Sequence, residues 1–283
     1  MIDMDEKWDL VIKPKNSLFS FDIKGLWKYR DLLFLFVRRD FISTYKQTIL
    51  GPIWFLIQPI LTTATFFVIF GNIAKIPTDG IPPILFYMSG IVMWTYFADC
   101  LTKTSETFTA NTHIFGKVYF PRLIVPLSLV VSSLVKLGIQ LVLFAAVWLF
   151  FYAKGANIVM NTTVIWLPFL LLLMAGYGLA FGIIISSLTT KYRDFKFLVG
   201  FGVQLLMYAS PVVYPLSSVP EKYKWILLMN PMTSIIETFK YSFLGVGEYN
   251  PIYLLNSFVV LIIVLLISII LFNKVEKSFM DTV

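Results

Sequence analysis

Six long apolar runs, near residues 53–73, 83–102, 124–152, 164–189, 197–214 and 252–272, occupy most of this 283-residue chain. About 20 apolar residues in a helix cross roughly 30 Å of hydrocarbon. Inside hydrocarbon each spanning segment must satisfy its own backbone polar groups, which runs of this length do as helices. The expected fold is an all-α integral membrane protein with six transmembrane helices. A soluble fold is excluded by composition: 58% of residues are hydrophobic, 14% are charged and the mean hydropathy is +0.80, leaving too little polar material to coat a core.

The 23 Lys and Arg against 16 Asp and Glu read as loop charge rather than as a nucleic-acid footprint. Placing the amino terminus in the cytoplasm puts 17 of these cations inside and five outside, with Lys136 left within a span. Both termini are therefore expected in the cytoplasm. The first thirty or so residues lack a continuous apolar stretch, so no cleavable signal peptide is expected. One Cys (Cys100) and one His (His113) exclude an internal disulfide and a Cys/His metal cluster; no cofactor or metal is expected. No Gly-x-x-x-x-Gly-Lys-Ser/Thr phosphate loop is present in the chain, so ATP hydrolysis is not expected of it.

Charge meets the first apolar run without a loop at RRDFISTYKQTILGPIWFLIQPIL. Phe34, Val37, Phe41, Tyr45 and Ile49 recur at three- and four-residue spacing, while Arg39, Ser43 and Lys46 share another face. The spacing predicts an amphipathic helix at the cytoplasmic interface. Pro52 suits the first turn of the next helix, and Gly51 permits the turn before it. Such a helix is either a passive anchor or a basic platform for anionic head groups, at roughly 1 kcal/mol per Lys or Arg. The expected organisation is a cytoplasmic segment over 1–50, a membrane domain over 51–273 and a cytoplasmic tail over 274–283.

Between the fifth and sixth runs lies YPLSSVPEKYKWILLMNPMTSIIETFKYSFLGVGEYNP. Met232, Ile235, Ile236, Phe239 and Phe243 recur at helical spacing, but the run is too short to span. A re-entrant or interfacial helical hairpin is expected, with a helix lying on the outer face as the alternative.

Within the spans, Ser128, Ser132, Lys136 and Gln140 stand four apart and stay near one side of a helix, drifting by about 40° per step. A charge in hydrocarbon is costly, so this stripe is expected to face protein or water. Asp99 and Lys103 have the spacing of an intrahelical pair. Tyr87, Trp94 and Phe97 on the second run, with Trp54, Phe55, Phe66 and Phe70 on the first, offer aromatic faces on which sugar rings pack; interfacial anchoring and bundle packing are the competing uses. GLAFG at 178–182 matches a small-residue packing motif that also arises by chance.

The segments RDFISTYKQTILGPIWFLIQPIL, VYFPRLIVPLS, YRDFKFL and SPVVYPLSSVPEKYKWILLMNPMTSII, in this order, resemble the permease subunits of polysaccharide-exporting ABC transporters. That family covers O-antigen, capsule and teichoic acid exporters, and the resemblance extends over about residues 20–272. Thr44 is a departure: the family usually has Arg there. The resemblance implies a homodimer of six-helix subunits around a sugar-polymer channel in the bacterial cytoplasmic membrane, with two copies of a cytoplasmic ATP-binding subunit. Together with the basic helix and the Gly51-Pro52 junction, this suggests a gate helix from about Tyr29 to Leu50, carrying Arg38, Arg39, Tyr45 and Lys46 and pivoting at Gly51 and Pro52 to admit a lipid-linked polysaccharide. NTHIFGKVYFPRLIVP is then the coupling segment, offering His113, Ile114, Phe115, Tyr119 and Arg122 to the ATPase, with Asn111 or Thr112 as a helix cap. Other membrane lipids are expected neighbours. A small-molecule or lipid exporter of the same fold, or a membrane-embedded transferase, is the alternative.

Overall fold

The computed structural model describes residues 23–46, 48–118, 120–192 and 194–282, and every described element is helical. Tyr119 and the side chain of Tyr45 lie outside the described part, and with them the expected roles of those groups. Short α1 (Ile23–Lys28) and α2 (Arg30–Tyr45) precede α3 (Trp54–Phe66). A 3-10 turn over Gly51–Ile53 leads into α3, and a π-helical stretch over Phe67–Ile73 continues it. Then come α4 (Pro83–Ser105), the four-residue α5 (Thr107–Ala110) and α6 (Thr112–Phe115), α7 (Ile124–Ala153) and α8 (Leu167–Thr189). The chain ends with α9 (Phe195–Tyr208), α10 (Glu221–Met229), α11 (Pro231–Leu244) and α12 (Pro251–Thr282).

Among the described residues, five helices are long and apolar enough to cross a membrane: Gly51–Ile73, Pro83–Ser105, Ile124–Ala153, Thr162–Thr189 and Pro251–Glu276. The sixth expected span, 197–214, is the 14-residue α9, about 21 Å long at 1.5 Å per residue. Its apolar run continues through Ser210-Pro211, and the residue before a proline is biased away from helix; the chain turns there instead.

Helix α4 is the hub, packed against α3, α7, α8 and α11. Its contact with α8 is closed by glycine: a Cβ on Gly178 would overlap that of Cys100, and one on Gly182 would meet Thr104. The GLAFG motif thus performs backbone-to-backbone packing inside the chain.

The segment between α9 and α12 holds two helices, α10 and α11, joined at Asn230, and the helical spacing from Met232 to Phe243 falls on α11. Asn230 caps α11 by accepting from the Met232 N–H at 3.0 Å, Pro231 occupies the first helical position, and Gly245 ends the helix at φ 76°; each residue suits its place. Helix α11 does not lie on a surface: Met232–Lys240 are all buried, against α4, α8 and α12. Polar pins hold it. Trp148 Nε1 donates to the Phe243 carbonyl at 2.7 Å, Asn161 Nδ2 to that of Tyr241 at 2.8 Å, and the Ser234 and Ser257 hydroxyls lie 2.8 Å apart.

Candidate functional site

The α2 end of the bundle holds an aromatic cluster that joins four parts of the chain. Phe36 of α2 meets Phe120 edge to face at 5.9 Å between ring centroids; Phe120 lies 5.9 Å from Phe115, Phe115 6.0 Å from Phe108, and Phe108 stacks on Phe272 of α12 at 5.0 Å. Arg122 joins the same knot. Its Nη1 donates to the Glu276 carbonyl at 2.9 Å, its Nε lies 3.8 Å from the Glu276 carboxylate, and its guanidinium lies over the Phe115 ring.

This arrangement revises the expected coupling segment. Phe115 is buried and Arg122 is tied to α12, whereas His113 and Val118 are exposed and Ile114 is half-buried. Neither expected cap forms: Asn111 Nδ2 donates back to the Thr107 carbonyl at 3.0 Å and the Thr112 hydroxyl to that of Phe108 at 2.9 Å.

The inward side of α2 also differs from the expected one. Phe36 is its buried residue, while Phe34 is 63% exposed, so the helix carries apolar groups on both its bundle side and its outer side. Arg39 is held over Phe36 at 4.6 Å and against Asp40 at 2.9 Å. Arg38 and Lys46 are exposed. Helix α2 ends at Tyr45, short of Leu50, and Gly51 takes φ +52° ahead of Pro52, a conformation that side chains with a Cβ rarely adopt.

The aromatics expected along a path divide into two groups. Tyr87, Trp94 and Phe97 are sealed in the interior, the last two 5.2 Å apart; a surface this closed does not line an opening within one chain. Phe55 and Phe66 are also buried, Phe70 is half-buried and meets Phe66 at 5.3 Å, and Trp54 remains 47% exposed.

The polar stripe on α7 finds its partner on α4. Lys136 Nζ lies 2.7 Å from Asp99 Oδ2 and 3.4 Å from Gln58 Oε1, so one cation ties α7, α4 and α3 together. The intrahelical spacing of Asp99 and Lys103 had pointed elsewhere; Lys103 instead donates to the Ser133 hydroxyl at 3.4 Å. Ser128, Ser132 and Gln140 are buried, and Gln140 Nε2 has no hydrogen-bond partner among the described residues. Nothing in the sequence pairs Asp99 and Gln58 with Lys136; only an unpaired lysine in a span signals that such partners must exist.

At the end of the bundle away from α2, Ile76, Pro77, Tyr214, Val219 and Tyr223 line an open cleft of about 500 Å³. Nearby, Asp79 accepts from the Ser217 hydroxyl at 2.8 Å.

Long apolar helices, three of them tied through Lys136, Asp99 and Gln58, make this a multi-pass membrane protein. The ABC-2 type transporter family model matches residues 31–244, and the chain belongs to that family. It is similar to an O-antigen export system permease protein of Klebsiella pneumoniae, with 28% identity over 255 residues, 89% of this chain and 94% of the relative. A Myxococcus xanthus protein of the same description shares 25% over 221 residues, covering 77% and 82%. A polysialic acid transport protein of Escherichia coli shares 21% over 204 residues, covering 70% and 76%.

Proposed function

We propose that the chain is the conduit subunit of an exporter that moves a lipid-linked polysaccharide out of the cytoplasm, with ATP hydrolysed by a separate subunit. Two copies, each docked to one ATP-binding subunit, enclose the path in the bacterial cytoplasmic membrane, with both termini on the cytoplasmic side. The observation that carries this reading is family membership along residues 31–244, together with relatives of nearly equal extent whose names specify O-antigen export.

The geometry supports a division of labour. The α2 end unites the helix before Gly51, the segment before α7 and the end of α12 in one aromatic knot, a suitable place for an ATPase to act. Exposed Arg38 on α2 and Lys46 just after it suit anionic head groups of the arriving lipid. The exposed face of α3, with Trp54, is where the polymer passes; Tyr87, Trp94 and Phe97 stiffen the wall behind it.

The test is deletion of the gene with complementation, measuring polymer at the cell surface and in the cytoplasm. Finished polymer retained inside, and restored to the surface by the wild-type chain, is the expected result. Unfinished polymer would point to a transferase, and unaffected polymer to another cargo; either outcome overturns the proposal.

A further inference from the structure

The exposed face of α3 has an unusual composition for a helix against lipid. Trp54, Gln58, Leu61 and Thr65 are exposed and Thr62 is half-buried, and at 100° per residue these five share one side of the helix. At Gln58 that face meets the Asp99–Lys136 pair. Asp99 lies about 9 Å along α4 from Ser105 and Lys136 about 18 Å along α7 from Ile124, depths at which a charge must face protein or water. The pair is not sealed: a quarter of the Asp99 side chain is exposed, and Gln58 lies open beside it.

We propose that Gln58, Asp99 and Lys136 form a subsite for the hydroxyl groups of a neutral sugar unit, with Trp54 one turn away as the face on which the ring rests. This deepens the export reading and depends on it. A vicinal diol needs an acceptor and a donor a few ångströms apart. Asp99 keeps a second carboxylate oxygen beyond the one facing Lys136, the Gln58 amide nitrogen supplies two N–H groups, and Lys136 has three in all. The 2.7 Å pair is already neutral, so it offers an anionic phosphate no net attraction, and Asp99 opposes one. The Thr62 and Thr65 hydroxyls donate to the carbonyls of Gln58 and Leu61, which turns their oxygens into acceptors for the next hydroxyls along the face.

Complemented deletion cells carrying the whole transporter provide the test, with surface polymer normalised to the amount of chain in the membrane. D99N/K136Q, which keeps hydrogen-bonding groups and removes both charges, should retain about half of export or more. D99L/K136M, apolar and similar in size, should lose about tenfold, the scale of one to two hydrogen bonds. Should that double variant fail to insert, Gln58→Leu replaces it, a change on the exposed face expected to cut export severalfold while Gln58→Asn does not. Wild-type export by both apolar variants would reduce the cluster to a structural tie and overturn the subsite alone. Equal loss in D99N/K136Q and D99L/K136M would mean that charge, not hydroxyl recognition, matters, and also overturns it. If the wild-type chain itself fails to restore export, the reading beneath the subsite falls instead.

Discussion

Lys240 and Glu237, one turn apart on α11, face each other at 3.7 Å with both side chains almost fully buried. The lysine also donates to the Pro211 carbonyl and lies 3.8 Å over the Phe86 ring, while Glu237 accepts from the Glu248 N–H at 3.2 Å. Two charges taken out of water thus fasten α11 to α4 and to the turns at Pro211 and Glu248.

Removing one partner strands the other. E237Q or K240M alone should each cost about 3–5 kcal/mol of stability, and the double variant should cost clearly less than their sum. Thermal unfolding of the four proteins in detergent measures the coupling; additive losses would contradict a direct pairing.

The same site has a pH signature. Burial holds Lys240 at about 8, below its ordinary 10.5, against the opposing pull of Glu237. The unfolded chain then binds this proton more tightly, so stability rises with pH wherever only the unfolded lysine is protonated. The unfolding midpoint, taken relative to K240M, should climb between about pH 8 and 10.5. A flat difference would contradict the burial account.

Gly178 and Gly182 set the distance between α8 and α4, because added methyl groups there meet Cys100 and Thr104. Alanine at either position should destabilise by about 1–3 kcal/mol. Alanine at Gly200 or Gly202, where no atom lies within 4 Å of the added carbon, should be neutral or stabilising by up to about 1 kcal/mol. Equal effects at all four sites would refute the close approach.

Gly51 has open space around it but φ +52°. Valine or alanine there should therefore act through backbone strain of roughly 1–2 kcal/mol, altering how α2 enters α3, whereas asparagine, which tolerates this region, should be milder. Export per inserted chain ranks the variants. Valine matching asparagine would mean that the positive φ is dispensable.

At the α2 end, Phe36 and Phe120 join the helix before the membrane to the segment before α7. Phe120→Ala should lower stability by about 3–5 kcal/mol at most. In transporters that still assemble, it should leave ATP hydrolysis running while export falls. Proportional loss of both activities would argue against mechanical linkage through the cluster.

Much of this architecture was legible because hydrophobic length and turn chemistry are local properties. Five of the expected spans coincide with long apolar helices among the described residues, and the helical spacing of Met232, Ile235, Ile236, Phe239 and Phe243 falls on α11. The misreadings share a different cause, since they concern which neighbour a side chain meets. Asp99 has a favourable partner four residues on, yet it turns to Lys136 on another helix. Tyr87, Trp94 and Phe97 have the composition of a sugar-facing wall, but α4 is the hub and its aromatics are enclosed. Periodicity on α2 was ambiguous for a related reason: a helix between a bundle and a membrane has apolar residues on two sides, so Phe36 and Phe34 serve different surroundings.

The central claim is that this chain conducts a polysaccharide under the power of another subunit, and reconstitution tests it most directly. The purified chain and its ATP-binding partner would be placed in lipid vesicles with the lipid-linked polymer, and polymer reaching the opposite leaflet would be measured. The account predicts movement that requires both subunits and hydrolysable ATP and that falls in D99L/K136M. Absence of polymer movement in an assembled, ATP-hydrolysing complex, or polymer modification by the chain alone, would contradict it.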